Sequence, residues 1–428
     1  MVLYKDDVEV SKKLSSTQKM NKQRRSSTVE YPCLSSLLPD ELTVQILLRL
    51  PVRSLLRFKC VSKLWLSEIS DPKFAKSQFD LATSPTHCLF LDFNDQFEIE
   101  SLDIDEPESA IAVVNIPFRL PLSLPRSGKC LEVLGSCRGF VLLLTHLGYF
   151  CVCNPSTGFQ RQIPLGTLCP FEGRYSLYGI GYDRSTDDYL LVSITSSFRA
   201  RKIIVFSLKT NLSFFLSIND ELLDPEFDFS VKVKYLGLTF DFRHGLFLNG
   251  SLHWLANRRP NYLFVILAFD LSERSLLEIA VSNELALELA DFKKLYTLRV
   301  MKECLALCYS DLGGMTEIWI MKEYKVQSSW TKMILSADVP SNSFFFPICF
   351  TKCGDVFGSN GRGRLLRLND KGKLLEHRAL RRGKRTQRRD CVIYKYPQLH
   401  RHLYTESLLS LPGLFEEVSE EDDRPKQS

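Results

Sequence analysis

The feature that most constrains this chain is a layout that keeps returning: an apolar run, a polar turn, and a second apolar run. It appears as CVCNPSTGFQRQIP at 151, VFSLKTNLSFFL at 205, AFDLSERSLLEI at 268, IWIMKEYKVQSSWTKM at 318 and RLLRLNDKGKLLEH at 364. Each is preceded by another short apolar run, namely GFVLLL at 139, YLLVSI at 189, LHWLA at 252, LALCY at 305 and GDVFGS at 354. Runs of this length divided by Gly, Asn, Asp and Ser read as strands. The repeat step of roughly 45 to 60 residues, with about four strands in each, points to a solenoid or propeller. Radial repetition buries the faces of such sheets against one another and leaves only short edges. Residues 85–411 are therefore expected to form an all-β, propeller-like domain of about six to eight blades, with a pair of β-sandwiches as the alternative. The first unit is expected near 87–135, and the last strands, 391–411, could pair with it to close the ring.

Ahead of this body the pattern differs. Residues 1–36 are rich in Lys, Arg, Ser, Thr and Gln and cannot bury enough apolar area to offset the entropy of ordering, so they read as a basic, disordered arm. Within it Lys12, Lys13, Lys22, Arg24 and Arg25 loosely suit a two-part nuclear import signal, although a solvated basic tail is the plainer reading. Residues 37–81 carry dense apolar positions at helical spacing, and 412–428 form an acidic and then mixed-charge tail. Apolar residues at 45% and charged residues at 25% exclude a chain disordered throughout. A net charge of +5 over 428 residues does not by itself indicate a polyanion partner. Thirteen irregularly spaced cysteines, with no apolar signal segment at the start and no span of ~20 apolar residues, lead us to expect a cytoplasmic or nuclear protein and no membrane partner.

The helical segment has a surplus of apolar surface. Pro39 followed by Asp40 and Glu41 is a helix start, since proline loses no bond in a first turn and acids suit the positive end of the helix dipole. On a helix to about Arg49, Leu42, Ile46 and Leu50 cover one side and Val44, Leu47 and Leu48 another. A second helix is expected over Val52–Phe58 and a third over about Lys63–Ser70, ended by Asp71 and Pro72. Some 45 residues cannot stabilise themselves comfortably, so the extra apolar face implies a partner.

The segment LPDELTVQILLRLPVRSLLRFKCVSKLWLSEISDPKF resembles an F-box, the module that docks a substrate receptor onto the Skp adaptor of a cullin-based ubiquitin ligase. The likeness covers Leu38 to Phe74 almost position for position, with Leu64, Leu66 and Glu68 as departures around Trp65. It implies that Leu38, Pro39, Leu42, Ile46, Leu47, Leu50, Pro51 and Val52 face the adaptor. Leu55, Phe58, Val61, Trp65 and Ile69 would pack the module and support that face.

The later segments GSCRGFVLLL, NPSTG, GIGYDRSTDDYLLV, VFSLKT, LNGSLHWLA and YTESLLSL resemble the plant F-box-associated domain, a kelch-like receptor domain. Arg138 stands where that family commonly has Asn or Asp, and Phe214 and Phe215 replace a Trp-based ending. The implied fold class is α+β and multidomain, a three-helix F-box followed by a β-propeller-like domain. Substrate contacts would lie in variable loops that the resemblance does not identify.

Candidate chemistry in the body is thin. Cys151 with Cys153, Cys304 with Cys308 and Cys349 with Cys353 lack a second pair of the kind structural zinc uses, so they read as buried thiols. His253 sits within an apolar strand and suits a hydrogen-bonded packing role, while His400 and His402 have no third ligand nearby. Asp183, Asp187 and Asp188 look like turn residues rather than paired acids. GSNGRGR at 358 lacks the context of a dinucleotide fingerprint and reads as a hairpin. The run RALRRGKRTQRR over 378–389 is the strongest charge signal, but no aromatic is interleaved for base stacking.

The sequence thus leads to a non-catalytic substrate receptor of a Skp–cullin–F-box ubiquitin ligase. Its expected partners are a Skp adaptor, through it a cullin, and a target protein, with no metal and no cofactor. The rival readings are a binding module using 378–389 for nucleic acid or an acidic protein, and a propeller glycosidase, which would need converging acids.

Overall fold

A computed structural model describes residues 39–81, 87–92, 98–104, 112–114, 131–145, 148–168, 175–196, 201–216, 227–228, 232–235, 238–241, 243–258, 263–290, 294, 296–311, 314–337, 344–360, 364–379 and 402–412. The basic arm over 1–36, Leu38, the run over 380–389, His400 and the tail from 413 lie outside them. The chain falls into two compact units, one ending at Arg49 and the other starting at Leu50.

In the first unit α1 (Asp40–Leu47) follows Pro39, whose carbonyl accepts from the amides of Leu42 and Thr43 at 3.0 and 3.1 Å. Asp40 and Glu41 occupy the first turn, where the helix dipole favours acids.

The second unit opens with more helices. α2 (Val52–Phe58) follows Pro51, and α3 (Lys63–Ser70) is capped by Ser62, whose hydroxyl accepts from the amide of Trp65 at 3.1 Å. The helical run does not end at Pro72 as the sequence led us to expect: α4 (Pro72–Leu81) starts there. Asp71 is extended, as a residue before proline tends to be, and its Oδ1 accepts from the amide of Lys73 at 2.6 Å. Proline at a first helical position forfeits no bond, so the residues that stop α3 also nucleate α4.

The rest is a β-propeller. Among the described residues it comprises six sheets of four or five strands and one separate hairpin, Lys232–Tyr235 with Leu238–Asp241. Five sheets are built around runs of strands consecutive in the chain, spanning 131–164, 175–216, 246–279, 297–336 and 346–379, all antiparallel. The third of these also takes in the short strand Phe227–Asp228. The remaining sheet is composite, its strands His87–Asp92, Glu98–Asp103 and Ala112–Val114 being joined by His402–Tyr404 from far along the chain. The range of about six to eight blades is therefore approximate. With the composite sheet taken as the first blade, that first unit is also smaller than 87–135, because Leu131–Cys137 pairs with Phe140–Thr145 and so begins the second blade.

The cores lie between blades. Val192, Ile203 and Val205 of the third blade meet Trp254, Leu267 and Phe269 of the fourth. The other face of the fourth blade, through Ile266 and Ala268, packs with Leu298, Leu305 and Trp319 of the fifth and with Leu285 and Leu289 of a helix, Asn283–Leu289. Ala306, Ile318 and Phe345 join the fifth blade to Val356 and Leu366 of the sixth. Leu102 and Ile104 of the composite sheet meet Ile348 and Phe357 of the sixth, which completes the circle. Trp254 is wholly buried and its indole N–H donates to Tyr178 O, one blade away, at 2.9 Å.

The last described segment, 402–412, is held by a sequence motif. Asn154 of NPSTG accepts through Oδ1 from the amide of Ser156 at 2.9 Å, forming its own turn. Its Nδ2 donates to Ser407 O and Leu409 O, both at 3.1 Å. Ser136 Oγ donates to Leu403 O at 2.6 Å, and Ser407 N to Ser156 Oγ at 3.2 Å. Gly139, at φ +83, lies so close to this segment that a Cβ there would meet Ser407 Oγ at 2.2 Å.

Candidate functional site

Two surfaces bear on function: the apolar positions of the helices, and the propeller around its axis. On α1, Pro39 is exposed and Leu42 and Ile46 are each 51% exposed, whereas Leu47 is only 2% exposed. In the second unit Leu50 is half-buried, Pro51 is exposed and Val52 is buried. Leu55 and Ile69 are buried, and Phe58 and Trp65 pack ring against ring with centroids 5.3 Å apart. Val61 is 61% exposed, with Leu64 and Leu66 about as open. Leu47 and Val52 are thus buried and Val61 exposed in the chain by itself, whereas the resemblance implied that the first two face the adaptor and that Val61 supports that face. Leu47 and Leu48 share the buried side at the end of α1, and Val61 falls in the turn before α3.

Sequence reasoning did not find the residues that join α2 and α4 to the propeller. Arg53 Nε pairs with Glu406 Oε1 at 2.9 Å. Arg138 lies with its guanidinium carbon 4.8 Å from the Phe79 ring centroid and 4.3 Å from that of Tyr182, and its Nη2 is 3.8 Å from the Asp80 carboxylate. Arg138 and Gly139 both have positive φ, the geometry of a two-residue hairpin that normally selects Asn-Gly or Asp-Gly. An arginine there carries a left-handed penalty of roughly 1 kcal/mol, against which its side chain makes contacts that Asn could not reach. The departure at this position was the available signal.

Around the axis a cavity of about 170 Å³ is lined by Arg138, Gly245, Phe247, Arg299, Ile348 and Leu403, among others. Among the described residues that line it there is no Asp or Glu. Asp183 instead sits in a blade-to-blade latch, accepting from Ser185 and Thr186 in its own turn and from Ser272 Oγ at 3.1 Å and Arg274 Nη2 at 2.9 Å in the next blade. Burial alone would raise its carboxyl, but these hydrogen bonds outweigh burial and hold it below the ordinary value. Asp188 accepts from Ser207 Oγ and from the amide of Lys209, and Asp187 from Tyr182.

His253 is fully buried, with Nδ1 3.1 Å from Leu246 O and Nε2 2.8 Å from Tyr324 Oη. Burial pushes its pKa down to about 4, so the ring is neutral near pH 7. Cys137, Cys151, Cys153, Cys308 and Cys349 are buried free thiols, and Cys60 and Cys353 are exposed. Burial pushes the Cys308 thiol up to about 12, which removes thiolate character. Among the described residues no cluster of three His, Cys, Asp or Glu could hold a metal ion, and no helix is long and apolar enough to cross a membrane.

Comparison with known proteins agrees with this architecture. A family model described as the F-box associated beta propeller domain matches residues 96–408, and one for the F-box domain matches residues 35–77. F-box protein CPR1 of Arabidopsis thaliana is 28% identical over 335 residues, covering 74% of this chain and 77% of the relative. F-box/kelch-repeat protein At3g23880 of the same plant is 28% identical over 313 residues, covering 69% and 79%. A solved structure of TolB from Acinetobacter baumannii aligns at a TM-score of 0.38 and 12% identity over 74% of this chain and 70% of that one, too distant to carry an argument.

Proposed function

Because this chain belongs to the F-box-associated β-propeller family and carries an F-box ahead of its propeller, we propose that it is the substrate-receiving subunit of a Skp–cullin–F-box ubiquitin ligase. The helices dock on a Skp adaptor, and the propeller holds a target protein. The chain itself makes and breaks no bond: it raises the concentration of the target's lysines near the conjugating enzyme. Such a subunit works in the cytoplasm or nucleus.

The observation that carries this reading is the coincidence of the two domains with apolar side chains left open on α1. Leu42 and Ile46, rather than buried Leu47, are the exposed apolar residues of α1 that a partner can reach. Leu38 lies outside the described residues, and Pro39 and Pro51 are exposed beside these helices. A partly exposed aliphatic side chain that becomes buried on docking contributes roughly 1 to 2 kcal/mol, and a carboxylate in its place costs several kcal/mol by desolvation.

The test is co-expression with a Skp adaptor and size-exclusion chromatography, comparing the native chain with Ile46→Asp. We expect one stoichiometric complex, weakened at least 100-fold by the substitution while the circular dichroism of the propeller is unchanged. A native chain that is folded yet migrates alone would overturn the reading.

A further inference from the structure

We propose that the outer edge of the third blade is a docking site for a short extended peptide, which adds to Ser213–Leu216 as a further strand. That the peptide belongs to a ubiquitination target rests on the receptor reading above; the docking itself does not.

Ser213–Leu216 pairs on one side with Ile203–Phe206, and among the described residues no strand pairs with its other side. The bond from Ser207 N to Leu212 O, at 2.9 Å, sets the alternation of the antiparallel ladder. It leaves the backbone N–H and C=O groups of Ser213 and Phe215 directed away from the sheet. An edge of this kind is a template for another strand, and proteins ordinarily blunt it with charge or proline.

The outer strands of the other four blades built from consecutive strands are blunted. Phe159–Pro164 carries Arg161 and ends in proline, Ser275–Ile279 carries Glu278, Trp330–Ser336 carries Lys332, and Leu374–Ala379 carries Glu376. Ser213–Leu216 has neither charge nor proline. It displays Phe214 and Phe215 at 50% and 60% exposure, one on each face of the strand, with Leu212 beside them at 58%.

The size of the patch selects the occupant. Three side chains exposed by half come to roughly 300 Å², given ~150 to 250 Å² for a whole aromatic. A stable interface between two folded proteins needs about 1,200 Å² or more, so a second copy of this chain would be held too weakly by this edge. A peptide of about four to six residues fits: its backbone satisfies the outward groups, and two adjacent bulky apolar side chains cover Phe214 and Phe215 on opposite faces.

The experiment pans the purified full chain with a phage-displayed library of random twelve-residue peptides, and then synthesises the most enriched sequence. We expect adjacent bulky apolar residues in that sequence, and binding that falls at least tenfold with Phe214→Lys or Phe215→Lys at unchanged melting temperature. N-methylation of alternate peptide amides should abolish binding to the native chain, which decides the matter even if a lysine variant folds poorly. No enrichment, binding indifferent to the substitutions and to N-methylation, or self-association of the native chain that the lysines abolish would each overturn the proposal. Adaptor binding measured on the same samples separates this outcome from failure of the receptor reading.

Discussion

His253 links a single ring to the acid stability of the whole propeller. Burial disfavours its charged form and Lys325 nearby opposes any added positive charge, which together outweigh the hydrogen bond to Leu246 O that favours protonation. A histidine whose pKa is near 6.5 in the unfolded chain and about 4 in the folded one binds more protons when unfolded. Its contribution is therefore fully present above pH 6.5 and is lost as the pH falls towards 4, a change of up to about 3 kcal/mol. Urea denaturation at pH 7 and pH 4.5 should show this loss in the native chain. A His253→Gln variant, which does not titrate, should show a smaller loss; an identical one would remove His253 from the explanation.

At the scale of elements, Arg138 acts as a clip on α4. Its cation–π contacts with Phe79 and Tyr182 are worth about 0.5 to 2 kcal/mol each. Arg138→Asn suits the turn better but gives up these contacts, so amide exchange in α4 should quicken about tenfold while the strands either side of the turn keep their protection. Equal exchange in α4 would show the clip to be idle. The hairpins were legible in the sequence because turn residues and alternating apolar runs are local signals, and those at 151, 205, 268, 318 and 364 all form. α4 was missed because Pro72 serves equally as a stop and as a start, and only the capping bond of Asp71 distinguishes them. The contacts of Arg138 with Phe79 and Asp80 join residues far apart in the chain, which no local pattern encodes.

For the molecule as a whole, ring closure depends on the last described strand. Removing the chain from residue 401 onward takes away His402–Tyr404 and the segment held by Asn154, so the truncated protein should melt at a markedly lower temperature and be cut readily by trypsin within the first and second blades. Unchanged melting would mean that the other sheets hold the ring by themselves. The composite sheet also sets a schedule for synthesis. His87–Asp92 leaves the ribosome about 310 residues before its partner His402–Tyr404, which at ~5 to 20 residues per second is roughly 15 to 60 seconds. During that interval the early strands have an open side, and a chaperone that shields nascent chains would find a long-lived target there.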